Sequence, residues 1–310
     1  MILSTRFHSP VLLCQVIRGL NVRVGKKYID ATVGGGGYSF AIIKRGGIVL
    51  GIDLDKDALE FVKKKLKSQK SKVKIGREIF LEQGNFAEIK KIAEKYGFNK
   101  VAGIIFDLGF SSFQLERAGR GFSYKGSEPL DMRLSTRQLP TAADIVNKYS
   151  EGELYEIFTK FAEEVHSRAI VSAILSARAV SYIGTTDKLV SIIDKIAKQL
   201  YVGKTSYQIS KLRNSLFARI FQALRIAVNN ELNSLKEGLT AAIDLLEEEG
   251  RLTVLSYHSL EDRLVKLKFR ANMKKNKLIL INKKPIVAAR EEVFSNPKSH
   301  SARLRIAEKL

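Results

Sequence analysis

Tyr28-Ile29-Asp30-Ala31-Thr32-Val33-Gly34-Gly35-Gly36-Gly37-Tyr38-Ser39 joins a β-type run to four consecutive glycines. A loop of this kind lets a ligand touch the backbone, because glycine puts no side chain in the way. About twenty residues later, at the spacing of a βαβ nucleotide-binding unit, a second apolar run, Ile48-Val49-Leu50-Gly51-Ile52, ends in Asp53. An acidic group there accepts hydrogen bonds from ribose hydroxyls. Strand, glycine loop, helix, strand and acid occur in order, which predicts an α/β fold.

The dinucleotide fingerprint G-x-G-x-x-G does not fit this loop. Counted from Gly34 its last position falls on Ser39, and counted from Gly35 it falls on Phe40. That argues against a nicotinamide or flavin cofactor. Asp30, closing the first strand, suits a ligand whose inner end is cationic, as S-adenosylmethionine is at its sulfonium and α-amino groups. A pyrophosphate would be repelled there.

With 310 residues and 45% hydrophobic content, the chain can build one large or two modest domains. Its formal net charge of +21 favours a polyanionic partner, nucleic acid first. Basic residues cluster in Lys63-Lys64-Lys65, Lys67, Lys70, Lys72, Lys74 and Arg77, which reads as an exposed helix and its flank. A second cluster comprises Lys266, Lys268, Arg270, Lys274, Lys275, Lys277, Lys283 and Lys284. It follows a motif that borders the functional edge and is the better placed for phosphates. Cys14 is the only cysteine, so no internal disulfide forms and no cysteine zinc site can be built. No apolar stretch approaches the roughly 20 residues of a membrane span, and Gln15 interrupts the short apolar run Val11–Ile17. A cytoplasmic location is expected.

Glu78 to Phe86 reads as a strand and a loop, with Phe86 placed to lie against a flat ring, and Ile89 to Tyr96 as a helix. Val101-Ala102-Gly103-Ile104-Ile105-Phe106-Asp107 is the continuous apolar run of a buried parallel strand. In open α/β sheets the ligand binds at the carboxyl edge, so Asp30, Asp53 and Asp107 are expected to face one crevice. Strand signals then lapse, and residues 153–161, 166–180 and 189–200 show apolar spacing of the helical kind. The expected organisation is a discontinuous domain of residues 1–112 and 213–310 with an inserted all-helical domain, 113–212. A long helix is expected near 214–236, another ending at Glu249-Gly250, and a strand over 251–257.

Polar, small and aromatic residues crowd Asp107-Leu108-Gly109-Phe110-Ser111-Ser112-Phe113-Gln114-Leu115, Arg120-Gly121-Phe122-Ser123-Tyr124 and Pro129-Leu130-Asp131-Met132-Arg133-Leu134. A site holding a planar base and a methyl donor needs that mixture of acceptors, close backbone approach and flat faces. In Ser256-Tyr257-His258-Ser259-Leu260-Glu261-Asp262-Arg263, Ser259 is expected to cap a helix whose first turn holds Glu261 and Asp262. His258 falls on the functional edge beside Asp107, either as a structural histidine or as one facing substrate.

These strings, together with Asp30-Ala31-Thr32, Phe221-Gln222-Ala223-Leu224-Arg225-Ile226, Ser301-Ala302-Arg303-Leu304-Arg305 and His8 with Pro10-Val11-Leu12-Leu13, closely resemble the bacterial rRNA small-subunit methyltransferase H family (RsmH, also called MraW). The resemblance covers nearly the whole chain. It implies a Rossmann-like class I S-adenosylmethionine-dependent methyltransferase sheet carrying an inserted helical domain. The implied reaction is methylation of the N4 amino group of a cytidine in the decoding region of 16S rRNA, naked or within the small ribosomal subunit. Carried over by motif, the cofactor contacts are Gly36, Gly37, Tyr38, Asp53, Phe86, Asp107 and Gln114. The family usually has histidine where this chain has Tyr38, Phe113 stands where proline is common, and Ser299-His300 replaces a more basic pair.

Asp107 is the candidate catalytic acceptor for an N4 hydrogen, with a backbone carbonyl in Leu108 to Ser111 as the alternative acceptor; in that case Asp107 only orients cofactor. Phe110, Phe122 and Tyr124 are candidates for holding an unstacked base. Arg120, Arg133, Arg213, Arg263 and Lys266, with His258, are candidates for RNA contact. No metal-ligand cluster is visible, and the oligomeric state, monomer or homodimer, stays open. Two rival classes remain. One is an amino-methyltransferase acting on DNA or protein, although the Asp-Pro-Pro-aromatic motif usual on DNA is missing after the fourth strand. The other is a non-catalytic RNA-binding ribosome-assembly factor.

Overall fold

Seven strands form one sheet in the order 3-2-1-4-5-7-6 in the computed structural model, which describes residues 10–68, 76–109, 119–134 and 140–310. The strands are β1 (Lys27–Asp30), β2 (Ile48–Asp53), β3 (Ile79–Gln83), β4 (Val101–Asp107), β5 (Leu246–Ser256), β6 (Leu278–Leu280) and β7 (Arg303–Lys309). Strands β1 to β5 pair in parallel, whereas β7 runs antiparallel to both β5 and β6. This order with one reversed strand is the class I methyltransferase sheet. The chain divides into two compact units, Met1–Ser112 with Leu232–Leu310 and Phe113–Glu231.

In the first unit the period-2 alternation of buried strands builds two layers. Tyr28 and Val49 face a cluster with Ile17 and Leu20 of α1 (Leu13–Leu20), Ile42 of α2 (Gly37–Ile43), and Val62 and Leu66 of α3 (Lys56–Ser68). Their neighbours Ile29 and Leu50 face the opposite way. There they meet Ile92 of α4 (Ile89–Lys95) and, from later helices, Leu239 and Phe269. The sheet is thus covered on both faces, which is why its parallel strands read as unbroken apolar runs.

The second unit is helical: α5 (Ala142–Lys148), α6 (Glu151–Ala162), α7 (Ser167–Val180), α8 (Thr186–Leu200) and α9 (Ser206–Asn229). Thr141 with Asp144, Ser150 with Glu153 and Thr205 with Gln208 form capping boxes that start α5, α6 and α9. Its core joins Leu154, Phe158, Ile170, Leu189, Leu216, Phe217, Ile220 and Leu224, all buried.

The seam between the units differs from the sequence reading, which set it after residue 212. The buried face of α9 runs from Leu216 to Val228 within the helical core, so the whole of α9 belongs to the insertion. Nor does one helix span 214–236: Asn230 takes a left-handed conformation (φ 49°), ending α9, and α10 (Glu231–Leu245) follows. The helix expected to reach Gly250 stops at Leu245, and β5 begins at Leu246. Its register jumps, Val101 facing Leu246 but Gly103 facing Arg251, so three extra residues bulge out. Glu247 in that bulge is ion-paired with Arg23 and Lys26, each at 3.0 Å. The remaining helices are α11 (Ser259–Lys274) and α12 (Arg290–Ser295). Among the described residues no helix is long and apolar enough to cross a membrane.

Candidate active site

Strand order reverses direction between β1 and β4, and the crevice above that point is where open α/β sheets bind ligands. β1, β2 and β4 each end there on an aspartate. Asp30 Oδ2 accepts a hydrogen bond from Ser39 Oγ at 2.6 Å, and its Oδ1 accepts a longer one, 3.4 Å, from the Thr32 backbone. Asp53 Oδ2 accepts from the Gly34 N–H at 2.8 Å and Oδ1 from the Asp55 N–H at 2.9 Å, which ties the glycine loop to the end of β2. Asp107 Oδ1 accepts from the Tyr257 hydroxyl at 2.7 Å, and the Asp107 N–H donates to Thr32 Oγ1 at 2.7 Å.

Burial pushes all three carboxyls up from 3.8 to about 6, and their hydrogen bonds only partly oppose it. The charges also disfavour one another, Asp107 acting on Asp30 and Asp30 on Asp53. An edge with such buried negative charge is stabilised by a cation. The sulfonium and ammonium groups of S-adenosylmethionine fit that field, and a pyrophosphate does not.

The glycines divide by role. Gly34 has φ 50°, and a Cβ there would meet nothing nearer than the Thr32 carbonyl oxygen at 4.0 Å, so its space is open. Gly36, in left-handed conformation at the start of α2, would put a Cβ 2.8 Å from Phe40 and 3.1 Å from Val62. A Cβ on Gly37 would fall 2.8 Å from Pro10. The protein's own packing therefore demands Gly36 and Gly37, whereas Gly34 has free space beside it.

Tyr38 is buried, and its hydroxyl donates to the Val11 carbonyl at 2.6 Å. It acts as a wall that pins the segment around Val11. Phe86 opens a short 3-10 turn after β3, half-buried, with its ring edge-on to Phe106 at 5.6 Å. Gln114 and Phe110, with Ser111, Ser112 and Phe113, lie outside the described residues.

His258, not Ser259, is the N-cap of α11. Its side chain accepts from the Glu261 N–H, while Glu261 Oε2 accepts from the Tyr257 N–H at 2.9 Å. Arg263 is exposed and Lys266 half-buried on the same helix. Lys266 lines a small hollow with Arg270, Lys283, Asn282 and Arg305 over a floor of Phe269 and Leu280. Arg305 is forked onto Asp262 at 2.6 and 3.0 Å; Lys266, Arg270 and Lys283 have no carboxylate partner among the described residues.

The other substrate candidates belong to the helical unit. Arg120 Nη1 donates to the Arg133 carbonyl at 2.7 Å and its guanidinium lies over Phe122. Arg133 is forked onto Asp131 at 2.8 Å through Nε and Nη2. The half-buried Tyr124 packs against Phe217 and Phe221, and Arg213 is ion-paired with Asp194. These contacts tie the Arg120–Leu134 segment to the helical core, helped by Asn229, which donates to the Met132 carbonyl and accepts from the Leu134 N–H. Sequence reasoning assigned no role to Thr32, Ser39 or Tyr257. Each was visible inside a quoted motif, but its partner was not.

Residues 5–310 match the sequence profile of the MraW methylase family. The chain belongs to this family. A ribosomal RNA small subunit methyltransferase H of Carboxydothermus hydrogenoformans is 40% identical, over 98% of each chain. One of Persephonella marina is also 40% identical, over 98% of this chain and 99% of its own. Likeness to solved structures is looser: an rRNA methylase from Streptococcus thermophilus shares 10% identity at TM-score 0.43, covering 100% of this chain and 99% of its own. The fold assignment therefore rests on strand order. MraW methylases are S-adenosylmethionine-dependent, in keeping with the charge of the aspartate edge.

Proposed function

We propose that this MraW-family chain methylates the N4 amino group of a cytidine in the decoding region of 16S rRNA, by direct transfer at the carboxyl edge of β1, β2 and β4. The chain is an S-adenosylmethionine-dependent rRNA methyltransferase; its relatives carry the name ribosomal RNA small subunit methyltransferase H. The observation that carries the reading is the set of three buried aspartates beside an open glycine loop, in a chain matched over nearly its full length.

When bound, S-adenosylmethionine supplies an electrophilic methyl group on sulfur. The Gly34–Gly37 backbone, Asp53 and Phe86 would hold its nucleoside half, with Gln114. Asp30 and Asp107 would face its cationic half. A cytosine N4 lone pair is delocalised into the ring and is a weak nucleophile. Asp107 accepts a hydrogen bond from an N4 hydrogen, which localises the lone pair as the new N–C bond forms, and it receives the proton the amine sheds. Holding the amino group in line supplies much of the acceleration. Cys14 is exposed on α1, and no cysteine adduct is invoked.

Phe122 and Tyr124 offer ring faces for an unstacked base, along with Phe110. Arg120, Arg263 and the hollow around Lys266 would contact phosphates, whereas Arg133 and Arg213 are already paired with Asp131 and Asp194; His258 serves as the cap that fixes α11. The substrate is taken to be the small subunit in the cytoplasm.

The decisive experiment is transfer of labelled methyl to small subunits from cells lacking this protein, with naked rRNA and DNA in parallel, followed by nucleoside analysis. N4-methylcytidine in the subunit rRNA is the expected product. Label in DNA or protein, or none despite cofactor binding, would overturn the reading.

A further inference from the structure

Tyr257 follows β5 directly and is held at three points. Its backbone N–H donates to Glu261 Oε2 at 2.9 Å. Its ring lies against Gly109, where any Cβ would fall 2.6 Å from Cε2 and 2.9 Å from Cδ2. Its hydroxyl donates to Asp107 Oδ1 at 2.7 Å. Asp107 itself is clamped through the backbone: its N–H is taken by Thr32 Oγ1, and the next N–H, of Leu108, donates to the Leu255 carbonyl at 3.0 Å. With the main chain fixed on both sides, the orientation of the carboxylate depends on what holds its oxygens.

Two tyrosines face Asp107, Tyr38 from α2 and Tyr257. A hydroxyl has one proton to give. That of Tyr38 goes to the Val11 carbonyl at 2.6 Å, so the donation to Asp107 comes from Tyr257.

The geometry points to Tyr257 as a positioning residue for methyl transfer: its hydroxyl fixes Asp107 Oδ1 and favours the ionised carboxylate that accepts the N4 hydrogen, and Gly109 is glycine to admit its ring. This rests on the reading of Asp107 as the acceptor. Glu261 on α11 raises the Asp107 carboxyl, while Lys298 and Tyr38 lower it, and Asp107 in turn raises Asp30 at the end of β1. Glu292 of α12 faces Tyr257, whose own hydroxyl is held well above the ordinary tyrosine value by burial first and Asp107 second. Tyr257 therefore stays protonated, and a donor, throughout the working range.

Removing the hydroxyl deletes the strongest interaction that opposes burial of the Asp107 charge. With subunits and saturating S-adenosylmethionine, Tyr257→Phe should move the acid limb of single-turnover rate to higher pH by about one unit. That corresponds to about fivefold slower transfer near pH 6, approaching about tenfold one unit lower, and recovering toward the parent rate near pH 8.5. Gly109→Ala, which displaces the ring and keeps the hydroxyl, should shift the limb the same way. Melting temperatures of both variants report folding separately. A profile that superimposes on the parent, or a loss equal at every pH, would overturn the positioning role. Asp107→Asn separates the two levels. Near-full turnover in that variant overturns Asp107 as acceptor and Tyr257 with it, whereas lost turnover beside an unshifted Tyr257→Phe profile overturns the positioning role alone.

Discussion

Asp30, Asp53 and Asp107 share one electrostatic condition: each is buried, and each is pushed up from 3.8 to about 6. A carboxyl whose folded value lies above its unfolded one binds more protons in the folded state between the two. Its contribution to stability is therefore fully present below about 3.8 and is lost as pH rises through about 6. The ligand-free protein should melt higher at pH 5.5 than at pH 7.5, as far as these groups decide it, and Asp30→Asn should flatten that part of the curve. The same charges favour a cationic ligand, so binding S-adenosylmethionine near pH 6 should expel protons. Calorimetry at that pH in two buffers of different ionisation heat should give different apparent enthalpies. Identical heats would mean the aspartates are already ionised before the ligand arrives, and the electrostatic argument for the cofactor would fail.

Helix α11 carries the next prediction, because its cap is a histidine. The His258 side chain accepts from the Glu261 N–H while Glu261 reaches back to the Tyr257 and His258 N–H groups, a reciprocal box. His258→Ala should cost about 1 kcal/mol, read as a lower melting temperature, and His258→Asn should restore it because asparagine caps well. Full stability in the alanine variant would return His258 to the substrate-facing role.

Strand ends were legible because Tyr28 to Asp30, Ile48 to Asp53 and Val101 to Asp107 are apolar runs closed by an acid, and a parallel sheet buried on both faces leaves no other pattern. The start of β5 was not legible. Glu247, Glu248 and Glu249 read as helix, and what bends them into a bulge is Arg23 and Lys26, more than two hundred positions earlier. Gly250 completes it, since a Cβ there would fall 2.7 Å from the Glu247 carbonyl oxygen and 3.0 Å from that of Val101. The seam at Asn230 was hidden for a related reason: α9 and α10 continue one another's apolar pattern, and only a left-handed residue breaks them. In the site, Asp53 and Asp107 announced themselves by position, whereas Tyr257 lies 150 positions from the carboxylate it serves.

At the scale of the whole molecule, a net charge of +21 must be placed before it explains RNA binding. Several basic groups are spent internally: Arg133 on Asp131, Arg225 on Glu231, Arg251 on Glu308, and Arg305 on Asp262. Such pairs hold loops and strands together and add little to the field felt by a phosphate. The hollow formed by Lys266, Arg270 and Lys283 is different, because those three have no carboxylate partner among the described residues and they surround an apolar floor of Phe269 and Leu280. Each cation that meets a phosphate of single-stranded RNA releases counterions and steepens the dependence of log affinity on log salt by about 0.7. If all three serve, replacing them together with glutamine should make that slope shallower by about 2 and weaken binding to subunit rRNA. S-adenosylmethionine affinity should stay at the parent value, since none of the three belongs to the β1, β2 or β4 edge. Fluorescence anisotropy of a labelled decoding-region fragment across a salt series measures the slope. An unchanged slope with unchanged affinity would remove this face from the RNA contact and leave the phosphates to arginines such as Arg120 and Arg263.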